Sequence, residues 1–252
     1  MKFLVIGATG LIGSRVVQRL AAKGYEVVGA SPSSGVDTLT GAGLDEAMKG
    51  VDTVIDLSNF LVFVRAEVED KFARAGANIA AAEKKAGVKH HVALSVVGTQ
   101  ELAGLGSDYF WGKVAQEKAI KASGVPYTIV HSTQFMEFLA GIVQSGEKAD
   151  GIHVTTQNIQ PIASDDVAEL VAEIAIEPPT NGIVEIGGPR RIGMAALVSD
   201  FLRKKGDPRK VVGDANTLYF GAKLGENTLV PKGTARLGKI DFDAWFASQP
   251  TT

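Results

Sequence analysis

The chain has 252 residues, 45% of them apolar and 21% charged, the balance of an ordinary globular protein with room for one large core. Its formal net charge of −2 supplies no basic field for nucleic acid or an anionic membrane, and its lack of cysteine excludes disulfides, thiolate catalysis and zinc–thiolate sites. The apolar stretch ending at Ile6 is too short for a signal peptide. No run approaches the ~20 apolar residues of a membrane span, so the expectation is a soluble cytoplasmic protein.

Phe3-Leu4-Val5-Ile6 reads as a strand buried on both faces. Leu11 to Lys23 reads as a helix, with Val16, Val17 and Leu20 on one face and Gly24 placed to end it. Val27-Val28 opens a second strand, and Val51 to Leu57 forms a third. Ala66 to Lys85 is a long helix closed by Gly87. Val92-Ala93-Leu94 is a fourth strand, followed by a Gly-rich loop. Tyr109 to Ala122 is a helix closed by Gly124, and Tyr127 to Val130 is a fifth strand with Pro126 at its mouth. Ile152 to Val154 and Ile183 to Ile186 read as further strands, and Asp165 to Ala175 and Met194 to Lys205 as helices. This alternation predicts an α/β fold of Rossmann type, a doubly wound parallel sheet. Residues 1–252 form a single domain on this reading, and those from about 134 onward contribute a small C-terminal substrate lobe over the strand ends.

Gly7, Gly10 and Gly13 follow the first strand and open the first helix. In that position the first glycine permits a tight turn, the second admits a pyrophosphate, and the third lets helix and strand pack closely. The unpaired N–H groups and the dipole of the helix then face the phosphates, so Gly7, Thr9, Gly10, Leu11, Ile12 and Gly13 are read as binding a nicotinamide dinucleotide. After the second strand comes Gly29-Ala30-Ser31-Pro32-Ser33-Ser34-Gly35, without the carboxylate that holds the ribose hydroxyls in NAD sites. Ser31, Ser33 and Ser34, with Arg15 on the first helix, are expected to serve a 2′-phosphate, so NADP(H) is preferred. Asp37 keeps NAD(H) as an alternative.

Strand three ends in Leu57-Ser58-Asn59, expected beside the cofactor, and strand four ends at Ser95. Tyr109 and Lys113 stand i, i+4 on one helix face. A neighbouring ammonium lowers a phenol's pKa, so Tyr109 is expected to pass a proton to a carbonyl oxygen held by Ser95, with Lys113 also on the nicotinamide ribose.

The Gly7-x-x-Gly10-x-x-Gly13 turn, Ser95 and Tyr109-x-x-x-Lys113 resemble the short-chain dehydrogenase/reductase superfamily. His90 to Gly98, Ala115-Gln116-Glu117, Ser123 to Val130, Thr133-Gln134-Phe135 and Gly182 to Pro189 are similar to its atypical, NmrA-like branch. The resemblance spans nearly the whole chain. It implies an NADP-binding Rossmann domain, a small substrate lobe, and either reductase activity or redox sensing. It also implies that Ser132 to Phe135 face the nicotinamide and substrate. Family sites that carry Arg at the end of strand two have serines here, and many NmrA-like members lack the tyrosine.

Other features point to structure. His90 and His91 adjoin a strand and so project to opposite faces. His131 and His153 lack spaced carboxylate or histidine partners, and no metal site is expected. Asp165-Asp166 read as a helix start, with Asp166 and Glu169 in capping-box spacing, and Trp111 as a packing residue. Phe135, Met136, Phe138 and Leu139 either line an apolar pocket or pack a helix. The function expected is an NADPH-dependent reductase that transfers hydride to a small carbonyl or quinone-like acceptor, aromatic or conjugated, in a chain free to form a homodimer. The alternatives are a non-enzymatic redox sensor acting on a protein partner, and a nucleotide-sugar epimerase or dehydratase.

Overall fold

A computed structural model describes residues 1–249. In chain order the elements are β1 (Lys2–Ile6), α1 (Gly13–Ala22), β2 (Glu26–Ala30), α2 (Leu44–Ala47), β3 (Thr53–Asp56), α3 (Arg65–Ala86), β4 (His90–Val96), α4 (Thr99–Gly104), α5 (Asp108–Ala122), β5 (Tyr127–Ser132) and α6 (Leu139–Ser145). There follow β6 (Glu147–Lys148), β7 (Gly151–Val154), β8 (Asn158–Ile159), α7 (Ser164–Ile176), β9 (Gly182–Gly187), β10 (Ile192–Gly193), α8 (Met194–Lys205), β11 (Val211–Gly213), β12 (Arg236–Leu237) and α9 (Phe242–Ala247).

The main sheet has seven strands in the order β12-β9-β5-β4-β3-β1-β2. β1 pairs in parallel with β2 on one side and β3 on the other, and β3 pairs in parallel with β4. The chain therefore reverses direction across the sheet between β1 and β3, the switch point where a doubly wound sheet opens a crevice for ligands. The Rossmann-type α/β architecture expected from the alternation is present.

The described residues divide into two compact units: 1–96, 108–131 and 167–184 in the first, and 97–107, 132–166 and those from 185 onward in the second. In the first, Leu4, Ile6, Val54, Ile79 and Val88 form a core with Leu44 and Met48. α3 and α5 approach closely at Gly112, where a β-carbon would lie 2.5 Å from the Phe72 ring and 2.6 Å from Val68, and at Gly76, where it would lie 2.7 Å from Ala119. In the second unit β11 and β6 flank β7, and the half-buried carboxylate of Glu137 accepts from Ser164 Oγ at 2.6 Å and Trp245 Nε1 at 3.0 Å.

Three expectations need correction here. The stretch after β4 is not only a Gly-rich loop. Thr99, Leu102 and Ala103 bury their side chains on α4, and Gly98 at φ +75° turns the chain into it. Asp166 and Glu169 form no capping box, because both lie beyond the helix start at Ser164. Asp166 Oδ2 accepts the Ile240 N–H at 2.8 Å, and Glu169 pairs with Arg19 at 2.9 Å and Lys23 at 3.4 Å. Finally, His131 and His153 do have carboxylate partners, Glu117 and Asp150, each at 2.8 Å.

No helix among the described residues is long and apolar enough to cross a membrane.

Candidate dinucleotide site

The turn after β1 explains its own glycines unequally. Gly7 has φ +80°, and a β-carbon there would lie 2.8 Å from the Leu57 carbonyl oxygen at the end of β3. At Gly13 it would lie 2.1 Å from the Gly7 carbonyl oxygen. The fold itself requires glycine at both positions. Gly10 has no such need, since its β-carbon would meet only the Gly7 oxygen, at 3.3 Å. Thr9, Gly10 and Leu11 are exposed, while Ile12 packs inward. α1 begins without a side-chain cap and with no acidic residue in its first turn. An uncapped helix start behind a bare stretch of backbone fits the pyrophosphate of a dinucleotide.

The end of β3 meets this turn directly, with the Leu57 N–H donating to the Ile6 carbonyl at 3.0 Å. Asp56 is buried; its Oδ1 accepts the Ser58 N–H at 3.0 Å and its Oδ2 accepts from Gln116 Nε2 at 2.7 Å. Gln116 Oε1 in turn accepts from Lys113 Nζ at 3.0 Å, and Nζ also donates to the Leu94 carbonyl at 3.1 Å. The ammonium lies 4.9 Å from the centre of the Phe72 ring. Burial pushes the Lys113 pKa down to about 8, against the charges of Asp56 and Glu117.

Tyr109 does not pair with Lys113. Its hydroxyl donates to Asn59 Oδ1 at 2.8 Å, and its ring sits 6.3 Å from that of Phe63. The expected lowering of its pKa is reversed: burial pushes it up to about 12, only partly offset by the Asn59 hydrogen bond. The reason is geometric. Lys113 projects from the same helix into the interior, where Gln116 and Leu94 hold it. Ser95 is likewise turned inward, its Oγ donating to Glu117 Oε1 at 2.7 Å, the same oxygen that faces His131. The site therefore joins Asn59 to Tyr109 and Lys113 to Gln116, and it bonds Ser95 to the buried carboxylate of Glu117.

The serines after β2 are largely occupied by their own turn. Ser34 Oγ donates to the Ser31 carbonyl and accepts the Ser31 N–H, both at 2.9 Å, and Ser31 and Ser33 share a hydrogen bond at 2.8 Å. Between Ser31 and Ser33, one hydroxyl proton remains to be donated elsewhere. Arg15 turns back to the Leu11 carbonyl at 2.7 Å, and Asp37 Oδ1 accepts the Leu39 N–H at 2.8 Å.

In the second unit, Ser132 Oγ donates to the Thr133 carbonyl at 2.9 Å, while Thr133 Oγ1 and Gln134 Nε2 are buried without a hydrogen-bond partner among the described residues. Met136 and Leu139 pack inward; Phe135 and Phe138 stack with ring centres 5.3 Å apart, and Phe138 is exposed.

Asp56, Gln116 and Glu117 were not among the residues expected to build the site. Their signal lay in helix spacing: Lys113, Gln116 and Glu117 stand at i, i+3 and i+4, and all three are buried on α5. A polar stripe turned inward is uncommon unless its members satisfy one another.

Residues 7–178 match a family model described as NAD(P)H-binding. The chain belongs to this NAD(P)H-binding family. It is an oxidoreductase by class, with a Rossmann-type α/β fold. One relative of this NAD(P)H-binding protein is the (4-alkanoyl-5-oxo-2,5-dihydrofuran-3-yl)methyl phosphate reductase of Streptomyces griseus, 29% identical over 81% of this chain and 74% of its own length. Another is the chloroplastic divinyl chlorophyllide a 8-vinyl-reductase of Cucumis sativus, 28% identical over 74% of this chain; the match spans 52% of that longer protein. Among solved structures, a hypothetical dTDP-4-dehydrorhamnose reductase from Sulfolobus tokodaii is similar with a TM-score of 0.70 and 18% identity, covering 97% of this chain and 99% of its own. The Bacillus anthracis dTDP-4-dehydrorhamnose reductase in complex with NADP has a TM-score of 0.67 at 15% identity, with 84% of each chain covered. At these identities the structural likeness speaks for the fold alone.

Proposed function

We propose that this NAD(P)H-binding oxidoreductase is an NADPH-preferring reductase of the NmrA-like kind, acting on a small conjugated carbonyl or quinone-like acceptor. The observation that carries the reading is Lys113, a buried ammonium held beside the tip of β3 in the same unit as the uncapped glycine turn. Reduced nicotinamide, when bound, supplies the hydride. Gly7 to Gly13 hold the pyrophosphate, Lys113 binds the nicotinamide ribose hydroxyls, and Leu57 to Asn59 line the cofactor's flank.

Preference for NADPH is supported by the absence of a carboxylate from Gly29 to Gly35 and by the engagement of Asp37 with its own turn. Ser31 and Ser33 supply the remaining hydroxyl proton toward a 2′-phosphate. The conjugated acceptor is supported by Tyr109. Committed to Asn59 and strongly protonated, it is no ready phenolate, and this suits an acceptor that takes hydride with little help from a protein acid. The two curated relatives, named for reducing an oxo-dihydrofuran phosphate and a vinyl group, point the same way. Recognition of the acceptor falls to the segment from about residue 134 onward, where the unpartnered amide nitrogen of Gln134 supports contact with a hydrogen-bond acceptor.

The test is nicotinamide oxidation followed by absorbance across a panel of quinones, enones, aldehydes and ketones, alongside dissociation constants for NADPH and NADH. Turnover of conjugated acceptors with tighter NADPH binding is the expected result. Tighter NADH binding overturns the cofactor preference, and tight binding of both redox forms with no turnover of any acceptor overturns the reductase.

A further inference from the structure

We propose that Asp56 is a positioning residue that acts through Gln116 to aim the Lys113 ammonium while it fixes the Leu57–Asn59 tip. The proposal rests on the reading of Lys113 as a dinucleotide contact.

Asp56 ends β3 and is 2% exposed, so both its carboxylate oxygens must be satisfied from within. One takes the Ser58 N–H and so ties down the chain immediately after the strand; Asn59, one residue further on, holds Tyr109. The other takes Gln116 Nε2. The amide has one acceptor end and one donor end, and its orientation is forced. Its oxygen faces the ammonium and its nitrogen faces the carboxylate, whereas the flipped amide would set donor against donor and acceptor against acceptor. The polarity thus runs one way, from Lys113 through Gln116 to Asp56. The charged groups facing Lys113 are Asp56 on β3 and Glu117 on α5 itself; α3 presents the Phe72 ring and β4 the Leu94 carbonyl.

The arrangement has a chemical consequence. A direct salt bridge would hold the ammonium against the carboxylate. With an uncharged amide between them, the carboxylate compensates the buried positive charge and orients it, yet never takes its proton. Loss of the Asp56 charge leaves burial opposed only by Glu117, and Lys113 then gives up its proton at a lower pH.

The experiment compares K113A, D56N, Q116L and the double variant D56N/Q116E. It measures NADPH dissociation constants by fluorescence and the Lys113 titration midpoint by nitrogen NMR in the ligand-free protein. D56N keeps an oxygen for the Ser58 N–H, and Q116L keeps the bulk of the glutamine, so each fault is confined to the relay. The expected result is a dissociation constant raised about tenfold in K113A, D56N and Q116L, the loss of one charged hydrogen bond. D56N and Q116L also shift the Lys113 midpoint downward. In the double variant the new amide at position 56 donates to the new carboxylate at position 116, which accepts from Lys113. The negative charge is thereby relocated against the ammonium, so the Lys113 midpoint recovers.

If K113A weakens binding while D56N changes neither readout, or if the Lys113 midpoint of the double variant is no higher than that of the worse single one, the relay is overturned and Lys113 keeps its role. If K113A leaves binding unchanged, the role of Lys113 fails. The ligand-free titration of D56N then decides the relay by itself: an unmoved midpoint overturns it and a lowered one supports it.

Discussion

Replacing Gly10 and Gly13 by alanine, one at a time, separates what the fold needs from what the ligand needs. At Gly13 the added carbon would stand 2.1 Å from the Gly7 carbonyl oxygen, 2.8 Å from the Gly7 carbonyl carbon and 2.9 Å from Ala8 Cα. All three are backbone atoms, so no rotamer relieves the overlap and the turn must open. Overpacking of this kind costs about 1–3 kcal/mol. For a chain of this size each kcal/mol lowers Tm by roughly 2–4 °C, so G13A is expected to melt several degrees early. At Gly10 the sole neighbour is the Gly7 oxygen at 3.3 Å, and a few tenths of an ångström of adjustment suffices. G10A is expected to stay within ~0.5 kcal/mol of the parent, as exposed substitutions usually do. In the proposed placement of the pyrophosphate its methyl group stands where a phosphate approaches the backbone, so NADPH binding should weaken at least about tenfold, or ~1.4 kcal/mol. Calorimetry and NADPH fluorescence titration on the same samples give both numbers. Unchanged NADPH affinity in G10A refutes the placement of the pyrophosphate, and an unchanged Tm in G13A refutes the packing argument.

Tyr109, with its pKa pushed up to about 12 by burial, is expected to stay protonated in the working range. Y109F should remove no tyrosinate absorbance below about pH 11 and erase no limb of the pH–rate profile near neutrality; a limb that disappears in Y109F returns the tyrosine to acid–base duty. Burial also pushes the His90 imidazole down to about 4, helped by the charge of His91, so the folded chain binds that proton less tightly than the unfolded one. Its contribution to stability is whole above the ordinary imidazole value near ~6.5 and is lost as pH falls from there through 4. H90Q should flatten that acid limb in calorimetric scans from pH 7 to 4, and an identical pH profile in H90Q contradicts the assignment. E137A strips the partner from the Ser164 N–H, Ser164 Oγ and Trp245 Nε1, and should destabilise the second unit by ~2 kcal/mol, seen as early loss of the Trp245 fluorescence change on heating. Coincident melting of E137A and parent would show those bonds to be replaced by water.

Much of the chain is legible in its sequence. The expected helix Met194 to Lys205 has the observed bounds of α8, because an apolar face at helical spacing and the following glycine depend on nearby residues alone. The strand before Gly7 and the strand, turn and helix around Gly7 to Gly13 were legible for the same reason: Gly7 and Gly13 are glycines the local path demands. The short pieces were not. α4, β6, β8, β10 and β12 span two to six residues each, too few for a periodic signal, and β8, β10 and β12 form where distant segments supply their partners. The candidate site divides along the same line. Glycine spacing marked the phosphate turn, and the Tyr109-x-x-x-Lys113 spacing correctly placed both residues on one helix. Spacing says nothing of what a side chain reaches once the helix is packed.

The sequence alone thus determined a dinucleotide-binding α/β chain, because alternating strands and helices and a glycine turn are written in local order. Tertiary structure decided the chemistry of the side chains around that turn. It gave Tyr109 to Asn59, fifty residues away, and Ser95 to Glu117. It also linked Lys113 to Asp56 through one amide. Hydrogen bonds and pKa values follow from what burial brings within 3 Å, and no local pattern records which distant strand end will arrive there.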